Sequence, residues 1–87
     1  MNLDITLYPN PASENISIGL NLSYFPKEDT YIYIRTLRGE IIKSVPIFLN
    51  RGYNNLEINC HDLPKGIYFL MINGLEIIRS EKRFIKI

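Results

Sequence analysis

The sequence has one cysteine, no tryptophan, and no apolar run near the ~20 residues that a membrane-spanning helix needs. A single cysteine, Cys60, cannot form an intramolecular disulfide, so core packing must hold the fold together. An excess of one charge is also missing, because ten Lys plus Arg face nine Asp plus Glu and leave a formal net charge of +1. These absences exclude a membrane-spanning protein and argue against nucleic acid or anionic lipid as a partner.

Residues that carry catalytic or metal chemistry are equally scarce. His61 is the only histidine, and it follows Cys60 directly. Neighbouring residues of an extended chain point to opposite sides, which argues against a thiol nucleophile beside its base. One Cys and one His cannot fill a tetrahedral metal site, and no glycine-rich phosphate loop is present. The sequence therefore predicts a protein that is not an enzyme and uses no cofactor or metal.

What the sequence has in quantity is the alternation typical of β-strands. The segment "NISIGLNLSY" (15–24) places apolar side chains at every second position and polar or small ones between them. Further strands are predicted around Ile5 and Leu7 and over 30–37, 40–49, 53–59, 67–72 and 75–87. A chain of this length has room for one core. We therefore expect residues 1–87 to form a single domain, an all-β, immunoglobulin-like antiparallel β-sandwich of about seven strands.

Several strands carry more specific predictions. Pro46 cannot donate to a ladder, so 40–49 is an edge strand or contains a bulge, and the edge is preferred. Segment 67–72, "IYFLMI", has no polar residue on either side and is predicted to be central and covered on both faces. Asn73-Gly74 suits a two-residue hairpin turn into the last strand, which bends near Ser80. Cys60 is expected to be a small buried filler.

The segment "LPKGIY" (63–68) has the parts of a tyrosine corner. In two-sheet sandwiches, a tyrosine near the start of a central strand can hydrogen-bond the backbone a few residues upstream. Leu63 would plug the core, Pro64 would stiffen the connection, and Gly66 would adopt a conformation that a β-carbon disfavours. Tyr68 would then close the corner with its hydroxyl.

Three blocks of the chain together resemble the C-terminal sorting domain of proteins that the type IX secretion system of Bacteroidetes exports. The first is "LYPNPASENISI" (7–18) and the second is "LRGEII" (37–42). The third runs from "HDLPKGIYFLMI" (61–72) to the basic and apolar ending "KRFIKI" (82–87). The resemblance covers about residues 5–87.

The resemblance implies a folded address label without catalysis, joined to a larger upstream cargo domain. In that family the label directs the cargo through the periplasm and across the outer membrane, and the cargo is secreted or held at the cell surface. The partners are the secretion machinery and a sortase, which removes the label and commonly attaches the cargo to a surface lipopolysaccharide. The label elements implied by position are Pro9, Asn10, Pro11, Gly39, Leu63, Gly66, Tyr68, Lys82, Arg83 and Lys86.

A folded label is recognised through its surface, and the end of the chain is the candidate. We expect residues 79–87 to form an exposed edge strand with unpaired backbone groups and basic side chains, suited to strand addition by a receptor. The chain starts at Met1 without a signal peptide or cargo, so we interpret it as a segment of a longer exported protein. The cleavage site is expected upstream of the first strand, at the edge formed by residues 1–4 or beyond it.

Two other functions fit the same fold. One is an immunoglobulin-like or fibronectin-like module of a secreted enzyme or adhesin that binds carbohydrate or protein. Such a module would use Tyr31, Tyr33 and Tyr53, with Phe48 as a further exposed aromatic candidate. The other is a structural domain that supports a neighbour or forms a weak homodimer through an open sheet edge. The Pro-Asn-Pro segment and the basic ending favour the sorting label, because a sugar-binding module needs neither.

Overall fold

A computed structural model describes residues 5–26, 29–74 and 81–87. Seven strands account for most of them. The strands are β1 (Ile5–Tyr8), β2 (Asn15–Leu22), β3 (Thr30–Thr36), β4 (Ile41–Ile47), β5 (Gly52–Asn59), β6 (Gly66–Asn73) and β7 (Glu81–Lys86). The expected cleavage site at residues 1–4 and the part of the last strand predicted over 75–80 lie outside the described residues.

The strands form two antiparallel sheets. One has three strands in the order β1-β2-β5, and the other has four in the order β4-β3-β6-β7. The predicted all-β sandwich of seven strands is confirmed, and so is the placement of the Pro46 strand at an edge. The finer assignment to the immunoglobulin-like class stays a prediction. Within the described ranges, no helix is long and apolar enough to cross a membrane.

The core lies between the sheets and is built by the alternating residues. Strand β2 buries Ile16, Ile18, Leu20 and Leu22, and β3 buries Ile32 and Ile34 between the half-exposed Tyr31 and Tyr33. Cys60 continues the inward phase of β5 and is fully buried, which confirms it as a core filler. The branched and aromatic side chains thus reach the core at the pleat period of two, as the sequence predicted.

Strand β6 is central, as predicted, because it pairs with β3 on one edge and β7 on the other. The prediction that both of its faces are covered is wrong. Tyr68, Leu70 and Ile72 are buried against the other sheet, whereas Ile67 is 41% exposed. The reason is that no further layer among the described residues lies over the outer side of this sheet.

The predicted two-residue hairpin at Asn73-Gly74 is also wrong. A tight turn there would pair Met71 with residue 76, but Met71 pairs with Glu81. Asn73 instead belongs to β6 and pairs with Tyr31 of β3. The Asn-Gly pattern identified the end of the strand correctly, while the connection to β7 is longer than the pattern indicated.

Candidate functional site

The proline segment, residues 9–12, leaves β1 and crosses to the other sheet. Both of its Xaa-Pro peptide bonds, Tyr8-Pro9 and Asn10-Pro11, are cis. Ala12 is fully buried and forms a parallel bridge with Lys86 of β7. The first and last of the three sequence blocks therefore meet, although more than seventy residues separate Asn10 from Arg83 and Ile85.

Four hydrogen bonds hold the proline segment against β7. The Ile85 amide donates to the side-chain oxygen of Asn10 at 3.0 Å, and the Asn10 amide group donates to the Arg83 carbonyl at 3.4 Å. The Ala12 amide donates to the Ile85 carbonyl at 2.8 Å, and the Ile87 amide donates to the Ala12 carbonyl at 2.9 Å. The Asn10 side-chain amide thus makes the donor and acceptor bonds that a peptide group of a neighbouring strand would make.

The expectation that the last strand offers an open edge for strand addition is therefore wrong for its end, around Ile85 and Ile87. The outward-facing backbone groups of Ile85 and Ile87 are already bonded, so a receptor strand cannot pair with them while the proline segment is in place. Sequence periodicity could not reveal this, because two prolines removed the segment from the strand pattern. The only signal was Asn10 itself, a residue whose amide can both donate and accept.

The basic side chains of β7 lie beside the same contact. Lys82 and Arg83 are exposed and line a groove with Asn10 and the β1 residues Ile5 and Leu7. Neither cation forms an ion pair with a described residue. The groove between the edges of β1 and β7 is therefore cationic on its β7 side, and Ile5, Thr6 and Leu7 of β1 form its other side.

The tyrosine corner is present as predicted. The Tyr68 hydroxyl donates to the Pro64 carbonyl at 2.6 Å, and its ring stacks on Phe84 of β7 with 5.7 Å between centroids. Leu63 is buried, and Gly66 has a φ of +155°. Burial raises the pKa of the Tyr68 hydroxyl above its ordinary value. The corner therefore fixes the start of β6, where Gly66 pairs with Lys86.

Gly39 lies apart from this group. It has a φ of +96° in the turn between β3 and β4, and its amide donates to the Thr36 carbonyl at 3.0 Å. A β-carbon at this position would have no heavy atom within 4 Å. The geometry explains why glycine suits the turn, but it does not bring Gly39 into contact with the proline segment or β7.

Cys60 and His61 do not form a catalytic pair. The Cys60 side chain is buried with its sulfur 3.7 Å from the Ile58 carbonyl, whereas His61 is exposed. Burial raises the pKa of the Cys60 thiol, although the positive charges of Lys43 and Lys86 oppose that effect. The neighbouring Asp62 accepts a hydrogen bond from Lys43 at 3.0 Å, which lowers the pKa of its carboxyl group. Among the described residues, no group of three or more His, Cys, Asp or Glu side chains could hold a metal ion.

The aromatic residues considered for sugar binding do not form one surface. Tyr31 and Tyr33 lie together on β3, with their rings stacked at 6.3 Å. Tyr53 is on β5 of the other sheet, and its hydroxyl lies over Gly19 of β2. A β-carbon at Gly19 would be only 2.6 Å from that hydroxyl. Phe48 follows β4 and is 94% exposed. The structure thus brings Tyr31 and Tyr33 together and places Phe48 in a pocket that Tyr31 also lines, whereas Tyr53 lies apart on the other sheet.

The arrangement defines a small β-sandwich in which the segment after β1 is hydrogen-bonded to the last strand, β7. Together they form one polar and cationic surface, and the described residues contain no group of side chains arranged for catalysis. The family model for the secretion system C-terminal sorting domain matches residues 6–86. The chain belongs to this family, and it carries a sorting signal of the type IX secretion system. The protein is therefore exported and interacts with the type IX secretion machinery. Searches of curated proteins and of solved structures found no significant match.

Proposed function

We propose that the surface where the proline segment meets β7 is the part of the sorting signal that the machinery reads. The surface comprises Asn10, Lys82, Arg83 and Lys86, with Pro9 and Pro11 shaping the segment. The observation that carries this proposal is the double hydrogen bond of Asn10 to the backbone of Arg83 and Ile85. It joins two of the sequence blocks into one unit that exists only in the folded domain.

The remaining implied elements have supporting roles in this proposal. Leu63, Gly66 and Tyr68 fix the start of β6, and β6 in turn holds β7 in register. Gly39 shapes a distant turn. The domain itself performs no catalysis. It leads an upstream cargo through the periplasm to the outer-membrane surface, and a sortase removes it there by cutting upstream of β1.

Electrostatics favour recognition by a surface that carries carboxylates. Lys82 and Arg83 are exposed and lack an ion-pair partner in the described residues, so their charges are available to a partner. Such charges mainly accelerate encounter and set orientation, and salt weakens their effect. The carbohydrate-binding alternative gains no comparable support, because Tyr53 lies on the other sheet from Tyr31 and Tyr33.

The test is a reporter with a signal peptide, fused upstream of this domain and expressed in a bacterium that has the type IX system. We expect the wild-type fusion to reach the cell surface or medium and to lose the domain. A triple variant, Lys82→Gln, Arg83→Gln and Lys86→Gln, should reduce delivery several-fold.

The matched control replaces three other exposed cations, Arg38, Arg51 and Lys65, by Gln. The control changes the net charge equally and should leave delivery unchanged. Both triple variants should unfold at a temperature close to that of the wild type. Equal delivery from the two variants would contradict the proposed recognition surface, and retention of the wild-type fusion in the periplasm would contradict the delivery function.

A further inference from the structure

The outward side of β6 is apolar from Ile67 to Met71, although no described layer covers it. Ile67, Phe69 and Met71 point away from the core, and Ile67 is 41% exposed. Strands with no polar residue on either side are typical of sheets covered on both faces. A strand that faces water on one side normally alternates apolar with polar residues, as β2 does. The composition of β6 is therefore that of a strand with a partner on its outer side.

Neighbouring strands extend this apolar surface. Ile85 of β7 pairs directly with Ile67 and is also 41% exposed. Tyr33 of β3 pairs with Met71 on the opposite side, and its ring stacks on that of Tyr31. We call these residues the outer face, which comprises Tyr31, Tyr33, Ile67, Phe69, Met71 and Ile85. A contiguous patch of this kind marks an interaction site more often than scattered exposed residues do.

The charges of the outer face indicate what kind of partner fits it. The Arg35 guanidinium lies 4.3 Å from the centroid of the Phe69 ring and is bonded to Glu81 at 2.9 Å. The charges of Arg35 and Glu81 therefore cancel each other. Arg83, which pairs with Phe69 from the other side, has no ion-pair partner in the described ranges. The uncompensated charge at this face is therefore positive, and it complements a carboxylate.

A sugar fits the same surface poorly. Carbohydrates stack on an open aromatic ring face, but Arg35 occupies one face of the Phe69 ring. The rings of Tyr31 and Tyr33 stack on each other, which uses one face of each. The surface instead has the composition of protein interfaces, in which tyrosine, phenylalanine, methionine and arginine are enriched.

The geometry points to the outer face as a second docking surface for a protein of the secretion machinery, one that presents apolar side chains beside a carboxylate. The inference rests on the proposed function for the identity of the partner, but it concerns a different surface from the proline segment. Ile67 and Met71 would lie at its centre, because they are the outward residues of the central strand. Arg83 would lie at its rim and serve both surfaces.

The test uses the same reporter fusion with the double variant Ile67→Thr and Met71→Thr. Threonine favours strands, so the substitutions remove apolar surface while retaining strand propensity. We expect delivery to fall about ten-fold, the ratio that corresponds to about 1.4 kcal/mol of binding free energy. The matched control is Tyr53→Thr, which removes an aromatic side chain that is 65% exposed on the other sheet. The control should be delivered like the wild type.

Thermal unfolding of the double variant checks that the fold is retained, and the milder single variant Ile67→Thr serves if the double variant is unstable. Wild-type delivery by the folded face variants would overturn this inference while leaving the proposed function intact. Failure of the wild-type fusion would instead contradict the proposed function. Sedimentation of the purified domain tests a second copy as the occupant, and a glycan array tests a sugar. A dimer or a glycan complex that Ile67→Thr abolishes would overturn the inference as well.

Discussion

At the scale of single residues, Tyr68 connects more parts of the sandwich than any other side chain of the tyrosine corner. Its hydroxyl bonds the connection before β6, and its ring packs on Phe84 of β7. The ring is buried in the core, while the bond to Pro64 lies nearer the surface. Loss of the hydroxyl alone should therefore weaken the corner without emptying the core.

The substitution Tyr68→Phe should lower the free energy of unfolding by about 1 kcal/mol, the net value of a typical internal hydrogen bond. Chemical denaturation followed by circular dichroism measures this change. The matched control is Tyr31→Phe, since the Tyr31 hydroxyl bonds no described residue. That control should leave stability nearly unchanged, and equal stability of Tyr68→Phe and wild type would contradict the energetic role of the corner.

The same residue should make stability depend on pH at the alkaline end. Burial raises the pKa of Tyr68 in the folded state above its ordinary value of about 10. The unfolded chain therefore loses this proton first, and the stability that Tyr68 contributes is complete below pH ~10. That contribution is lost as the pH rises through the higher pKa of the folded state. In Tyr68→Phe this part of the alkaline loss should disappear.

At the scale of strands, most of the sandwich follows from local pattern. Alternation identified the strands, and Pro46 identified the edge strand β4, because a proline cannot donate to a ladder.

The inward phase of β5 also contained an unpredicted polar residue, Asn54, which is buried. Its side chain bonds the backbone of Asn50 and Gly52. An asparagine in phase with Leu56 and Ile58 was the available signal for it.

The candidate surface was only partly predictable for a physical reason. The resemblance named its residues, but the contact between Asn10 and β7 spans most of the chain and leaves no periodic trace. The register of β6 and β7 was missed for the same reason, since the length of a connection is not encoded in the turn residues alone. Contacts between residues far apart in the sequence therefore decide which edge of a sheet stays open.

The contact of the proline segment with β7 makes a specific prediction for Asn10→Ala. The substitution removes the acceptor of the Ile85 amide and one donor to the Arg83 carbonyl. We expect amide exchange at Ile85 and Ile87 to become about five-fold faster, in line with about 1 kcal/mol for the lost bonding. Hydrogen-deuterium exchange measures this directly.

A suitable comparison for that variant is Asn59→Ala. Asn59 also bonds a backbone amide through its side chain, that of His61, but it does so beyond the end of β5. Exchange at Ile85 should then match the wild type. Unchanged exchange at Ile85 and Ile87 in Asn10→Ala would show that the proline segment does not protect the edge.

At the scale of the whole molecule, β7 belongs to the core as much as to the surface. Phe84 is fully buried and packs on Tyr68, while the strand completes the pairing of β6. A deletion at this end therefore changes the stability of the domain as well as its surface. Substitution of exposed side chains is the only clean way to separate recognition from folding here.

Deletion of residues 83–87 should unfold the domain. Loss of a buried phenylalanine alone costs about 3–5 kcal/mol, and small domains have only about 5–15 kcal/mol in total. Circular dichroism should show the loss of cooperative thermal unfolding. A milder deletion of Ile87, which is 59% exposed, should leave the fold cooperative and serve as the comparison. A cooperative transition after the larger deletion would contradict this account of β7.

The parallel bridge between Ala12 and Lys86 also has a consequence for synthesis. Ribosomes produce Asn10 and Ala12 early, but their partners in β7 emerge more than seventy residues later. Until then the proline segment has nothing to bond, and the sandwich has neither Phe84 nor its fourth strand on that sheet. A prematurely terminated chain would leave the ribosome without the surface that we propose the secretion machinery reads. The contact between the proline segment and β7 can therefore form only in chains translated through the end of β7.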